Sequence, residues 1–145
     1  MPYIPDLKRR KYLKETLDPI NGGELNFTLY YLSLKYLDRV GKSYGSSEDV
    51  LHAYEEALHS VYLPISRPIK EKTPMNIGQL TDLFQNVVCN YVARTNKSHR
   101  PTLRASQLEF YRRIVGPYED EKIEENGDVT IEKDSGKGHL KDPIY

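Results

Sequence analysis

The chain has 145 residues, 38% hydrophobic and 29% charged, with a formal net charge of zero; this describes a soluble globular protein and excludes a strongly basic nucleic-acid binder or a polyacidic solvating chain. A lone cysteine, Cys89, excludes an internal disulfide and, within the apolar run VVCNYV, reads as a reduced core thiol. No apolar run approaches the roughly 18 residues of a membrane span, and MPYIPDLKRRKY lacks a signal-peptide apolar core, so a cytoplasmic protein without membrane contacts is expected.

A chain of this length needs one hydrophobic core, so a single domain over 1–145 is expected. Residues 1–21 read as a basic arm, in which Asp6 is positioned to cap a short helix carrying Leu7, Lys8, Arg9, Arg10, Lys11 and Lys14. The span 22–63 reads as a first helical hairpin. Leu25, Leu29, Leu32, Tyr36 and Val40 recur at helical spacing, Phe27, Tyr30, Leu34 and Leu37 widen the stripe, and Gly41 is placed to end the helix. Ser46 or Ser47 is the expected cap of the next helix, which sets Val50, Tyr54, Leu58 and Val61 on one face.

The span 64–75 holds prolines that stop a helix and favour an extended connection. The span 76–116 reads as a second hairpin, with Leu80, Phe84, Val87 or Val88, and Tyr91 on its first helix. The second helix starts near Pro101, buries a Leu108, Tyr111, Val115 face and stops at Gly116. Pro117 then opens an acidic helix over 117–127 that Gly127 terminates, and 128–145 reads as a polar tail, in which VTIEK can add a short strand. The expected fold is an all-α bundle of two helical hairpins with a short acidic C-terminal helix.

Sliding the chain by 55 positions matches Gly23 with Gly78, Leu25 with Leu80, Tyr36 with Tyr91, Arg39 with Arg94, Lys42 with Lys97 and Ser43 with Ser98. A shift of 53 then matches Glu56 with Glu109 and Pro64 with Pro117. An internal duplication is one reading of this pattern, and amphipathic hairpins sharing apolar positions is the other. If it is a duplication, the halves pack about a pseudo-two-fold axis.

Templates for catalysis are absent: the sequence contains neither GxxxxGK[ST] nor GxGxxG, and neither HExxH nor CxxC. His52 and His59 stand two helical turns apart, about 10.5 Å of rise, too far to chelate one ion unaided. Glu125 and Asp128 supply the ExxD half of the magnesium signature of helical nucleotide pyrophosphatases, and the ExxE half that a neighbouring upstream helix would carry is missing. Asp120, Glu121, Glu124 or Glu125 could hold a hard cation through oxygen ligands, but acids near a helix start are also explained by the macrodipole. No metal or cofactor is therefore assigned.

Cations cluster upstream, at Arg94, Lys97, Arg100, Arg104, Arg112 and Arg113. Arg113 lies one turn after Glu109 and can pair with it. The candidate binding residues are Arg104, Tyr111, Arg112, Arg113, Tyr118, Glu119 and Asp120. They form either an internal ion-pair network with the acidic helix or a pocket in which arginines and tyrosines take a phosphate or nucleotide.

The stretch LEFYRRIVGPYEDEKIEENGDV, with the upstream GELNFTLYYL and the MPYIP start, resembles a widespread family of short uncharacterised phage and microbial proteins. The resemblance makes Tyr111, Arg112, Arg113, Pro117, Tyr118, Glu119, Asp120, Lys122, Asn126, Gly127 and Asp128 landmarks and implies no activity. Members of that family commonly carry one hairpin between these landmarks, and roughly 50 further residues separate them here.

Twelve tyrosines with no tryptophan and three phenylalanines suit half-buried seams between helices and subunits. The leading expectation is a non-enzymatic binding or assembly protein, encoded by a phage or mobile element, acting in a homo-oligomer or on a host protein in the host cytoplasm. The alternatives are a protein that sequesters an anionic nucleotide and, third, a metal-dependent nucleotide hydrolase.

Overall fold

The computed structural model describes residues 18–59, 69 and 73–127. The basic arm up to residue 17, most of the proline-rich connection, Val61, Asp128 and the tail with VTIEK lie outside the described residues. The chain divides into two compact units, Met1–Phe110 and Tyr111–Tyr145. Every regular element among the described residues is helical, as the 3.6-residue periodicity requires.

In the first unit, α1 (Gly22–Val40) and α2 (Tyr44–Leu58) make one hairpin, and α3 (Ile77–Thr95) and α4 (Arg100–Phe110) make the other. The start of α1 is fixed by a reciprocal cap. The Asn21 side chain accepts from the Glu24 N–H at 2.9 Å, and the Glu24 carboxylate accepts from the Ile20 N–H at 3.0 Å. At α3 the same device recurs: Asn76 accepts from the Gln79 N–H at 2.9 Å, and the Gln79 side-chain oxygen from the Met75 N–H at 2.7 Å.

Both helices also stop at a residue of positive φ. Gly41 at φ 91° donates its N–H to Leu37 O at 2.8 Å, and Asn96 at φ 55° donates to Val92 O at 2.8 Å. Such left-handed stops favour glycine and, next, asparagine. The cap of α2 is Ser43, reciprocally bonded to Ser46, and not Ser46 or Ser47. Both of those serines are buried inside the helix.

The two hairpins share one core. Each helix packs most extensively on the opposite hairpin, α2 on α3 and α1 on α4. Leu25, Leu29 and Leu32 of α1, Val50 and Tyr54 of α2, Leu80, Phe84, Val87 and Val88 of α3, and Leu103 and Phe110 of α4 are buried. Tyr54 stands at the centre: its ring meets Phe84 edge-on at 5.0 Å and Phe110 tilted at 6.3 Å. Its hydroxyl lies 2.6 Å from Ser106 Oγ, so the polar tip is satisfied without water.

Within the first hairpin, Tyr36 donates to the Asp49 carboxylate at 2.7 Å. Burial, with that carboxylate alongside, pushes the Tyr36 phenol up to about 12.

Several local expectations change. Val40 and Leu34 reach the surface at 39% and 37% exposure and bound the α1 stripe. On α4 the buried face is Leu103, Ser106 and Phe110, whereas Leu108 is 69% exposed. The polar Ser106 turns inward because a buried phenol awaits it, and this rotates Leu108 and Arg104 out. Cys89 is only partly buried. The second helices of the two hairpins begin at 44 and 100, so that buried Val50 and Tyr54 stand at the positions of buried Ser106 and Phe110, a shift of 56 in place of 53. A loop one residue longer accounts for the step from 55 to 56.

In the second unit, a π-helical turn Tyr111–Val115 runs directly into α5 (Gly116–Asn126). Gly116 therefore does not stop a helix, and Pro117 sits in the first turn of α5, where its missing N–H costs least. Gly127 does end the run, at φ 87°, donating to Ile123 O at 2.8 Å.

Asn21→Ala and Asn76→Ala are each expected to cost about 1 kcal/mol, read by urea denaturation as a lower midpoint at unchanged slope. Because the folded phenol of Tyr36 titrates above its ordinary 10.0, the stability it contributes is present below pH 10 and declines as pH rises toward 12. Tyr36→Phe should therefore make alkaline unfolding shallower across that window, measured as midpoint against pH.

Candidate functional site

Two polar surfaces emerge, one on each unit. The first gathers at the C-terminal end of α2. Glu55 accepts from Gln107 Nε2 of α4 at 2.9 Å, and its other oxygen lies 3.4 Å from His59 Nε2, one turn on. The Gln107 amide, then His59 and the charge of Arg104, hold the Glu55 carboxyl below its usual value. Here the helix ends, and the carbonyl of its last residue is met from the other hairpin: Leu58 O lies 3.3 Å from His99 Nε2 and accepts from Arg100 at 3.4 Å. Cations at a helix C-terminus are favoured by its partial negative charge. Burial holds the His99 imidazole below its ordinary value, which favours the neutral ring.

Sequence reasoning found Arg100 and Arg104 but missed Glu55, His99 and Gln107. Gln107 and Glu55 are 52 positions apart, and only the packing of α2 against α4 brings them together. No local spacing carries that signal.

The second surface holds six of the seven predicted residues. Tyr111 donates its hydroxyl to Glu119 at 2.9 Å, and this bond, then the charges of Glu119 and Asp120, push the Tyr111 phenol up. Arg112 and Arg113 are exposed on the π turn, and Asp120 is exposed on α5. Tyr118 lies under Lys122, whose ammonium stands 5.4 Å from the ring centroid and pairs with Glu125 at 3.2 Å. The seventh residue, Arg104, belongs to the first unit, is exposed, and acts on Glu55. Glu109, the expected partner of Arg113, is buried at the end of the first unit.

This chemistry bears on what the second surface can take. An anion approaching Tyr111 must displace Glu119 from its hydroxyl and meets the charges of Glu119 and Asp120. A cation or a basic side chain is drawn to those carboxylates and is opposed in turn by Arg112 and Arg113 on the π turn. Among the described residues no group of three or more His, Cys, Asp or Glu side chains is placed to hold a metal ion. Asp128, the second acid of the ExxD spacing, lies outside the described residues. The π turn could not be read from periodicity, and such turns occur frequently at functional sites.

Residues 69–129 match the family model of a domain of unknown function, DUF6899, over less than half of the chain. The stretch from EFYRR to NGDV lies inside this match, and the MPYIP start and GELNF lie outside it. No curated protein and no solved structure matches the chain. No helix among the described residues is long and apolar enough to cross a membrane.

Removing the Gln107 amide should let the Glu55 carboxyl titrate closer to 4.5. In Gln107→Ala, carbon-detected NMR is expected to show the Glu55 midpoint rising. The stability Glu55 contributes is present above its unfolded-state value and is lost as pH falls through the folded one, so the variant should lose less stability than the parent on acidification.

Proposed function

We propose that the protein is a non-enzymatic binding or assembly protein, encoded by a phage or another mobile element and acting in the host cytoplasm. It works through protein–protein contacts, in a homo-oligomer or with a host protein. The observation that carries this reading is the surface of the second unit. A π turn there presents Tyr111, Arg112 and Arg113 to solvent, and α5 follows with no buried residue and with Ile123 43% exposed.

Tyrosine and arginine are the side chains that most often carry binding energy at protein interfaces. An 11-residue helix is marginal in water by itself. Pairing of Tyr111 with Glu119 and of Lys122 with Glu125 holds the segment in shape, and Asp120, Glu121, Glu124, Ile123 and the exposed Tyr111 ring remain for a partner. The acids select a partner with a basic contact face, which in a self-assembly the protein's own arginines can supply. The resemblance of the same stretch to phage and microbial proteins supports the mobile-element setting.

Light scattering coupled to size exclusion tests this. At tens of micromolar the protein is expected to exceed the 16.8 kDa of one chain or to co-elute with a captured host protein. Arg112→Ala with Ile123→Asp should abolish either association while leaving the circular dichroism spectrum intact. A parent chain that is monomeric and retains no partner overturns the reading.

A further inference from the structure

The two hairpins of the first unit repeat one another in detail that composition does not require. Asn21 and Asn76 cap α1 and α3 with the same dihedral angles, φ −150° and ψ 171°. Glu24 and Gln79 close the reciprocal caps, and Gly41 and Asn96, both at positive φ though at different ψ, end the helices by donating their N–H groups to Leu37 O and Val92 O. Each of these pairs is separated by 55 positions. Across the longer loop the separation becomes 56, which carries Val50 onto Ser106 and Tyr54 onto Phe110, all four buried. The packing is reciprocal as well: exchanging the hairpins converts the α1–α4 contact into the α3–α2 contact, and these are the two most extensive between hairpins.

Equivalent residues that touch each other lie beside the axis relating them. Tyr54 and Phe110 do so, with ring centroids 6.3 Å apart. The hairpins are thus arranged as the two subunits of an isologous dimer would be. At that axis the repeat is broken chemically. Tyr54 reaches across to Ser106 at 2.6 Å, and Ser33 of its own hairpin, which donates its hydroxyl to Leu29 O, lies close enough to act on the phenol. The equivalent positions are Phe110, Val50 and Val88, so each hydroxyl has an apolar counterpart.

We infer that the two hairpins are fused copies of one dimerising helical unit, and that the Tyr54–Ser106 contact, facing Phe110 and Val50 across the axis, makes the inner face of each hairpin fit the other rather than a hairpin of its own kind. A pair of first hairpins would set the Tyr54 phenol against Val50, leaving it without its partner across the interface. A pair of second hairpins would set Ser106 against Phe110. Only the mixed pair joins hydroxyl to hydroxyl and apolar to apolar. A buried polar contact is well suited to this role, because it costs little when complete and much when half-made.

The full chain allows each pairing to be reproduced internally. Ser106→Val places Tyr54 against valine, as in a pair of first hairpins; Tyr54→Phe places Ser106 against phenylalanine, as in a pair of second hairpins. Each is expected to raise the unfolding equilibrium constant by about tenfold, and the double variant, apolar on both sides of the axis, to recover most of that loss. Conversely, Phe110→Tyr should destabilise, and adding Val50→Ser should restore stability by rebuilding the hydroxyl pair at the equivalent site. Urea denaturation of the six proteins, parent included, reads every arm. Additive losses in the first cycle overturn the pairing role. Failure of Val50→Ser to rescue Phe110→Tyr overturns the equivalence of the two sites.

Discussion

The first unit is organised around a phenol that is wholly buried and nonetheless bonded. Tyr54 packs its ring on Phe84 and Phe110 and sets its hydroxyl on Ser106. Much follows from placing that one polar atom. Ser106 must face inward, which sets the rotation of α4 about its axis. Once α4 is so rotated, Leu103 and Phe110 are buried, Leu108 and Arg104 are exposed, and Gln107 falls beside Glu55. A core of leucines and valines tolerates several helix rotations at similar cost, because dispersion and burial are not directional. A hydrogen bond at 2.6 Å tolerates few.

The same contrast between directional and non-directional forces explains which features were legible in the sequence. Apolar periodicity identified α1, α2 and α3 and most of their buried residues, since Leu25, Leu29, Leu32, Val50, Leu80, Phe84 and Tyr91 are spaced to share faces. Periodicity failed on α4. Of the expected Leu108, Tyr111 and Val115 stripe, Val115 on the π turn is buried while Leu108 and Tyr111 are exposed, and burial on α4 followed Ser106, a residue that hydropathy assigns to the surface. The caps show the complementary case. Gly41 and Gly127 could be read because a left-handed stop favours glycine. Asn21 and Asn76 were readable in principle, each followed three positions later by Glu24 or Gln79 in capping-box spacing. The π turn carries no such residue code, so Gly116 and Pro117 were read as a break when the helical backbone in fact runs through them.

The candidate site divides along the same line. Tyr111, Glu119 and Asp120 are close in sequence, and one helical run suffices to bring the first two into contact. The cluster of Glu55 with Gln107, and of His99 and Arg100 with the end of α2, depends on two hairpins meeting. Such a constellation is invisible until the packing of the helices is known.

The charge pattern gives the two surfaces different chemistry even though the whole chain is neutral. At the end of α2, His99 and Arg100 meet carbonyl oxygens, and Glu55 already accepts a hydrogen bond from Gln107, so most polar groups there are engaged within the fold. On α5 the acids Glu119, Asp120, Glu121, Glu124 and Glu125 face a single lysine in the same helix. Like charges at one-turn spacing raise the cost of the helix, and that cost is lowered when basic groups from another molecule approach. An excess of carboxylates on a helix with no buried residue is poorly explained by stability alone. In the proposed contact surface these charges would be compensated on assembly, and the neighbouring exposed Tyr111 and Ile123 would supply the apolar area that such a contact needs to outlast its electrostatic encounter.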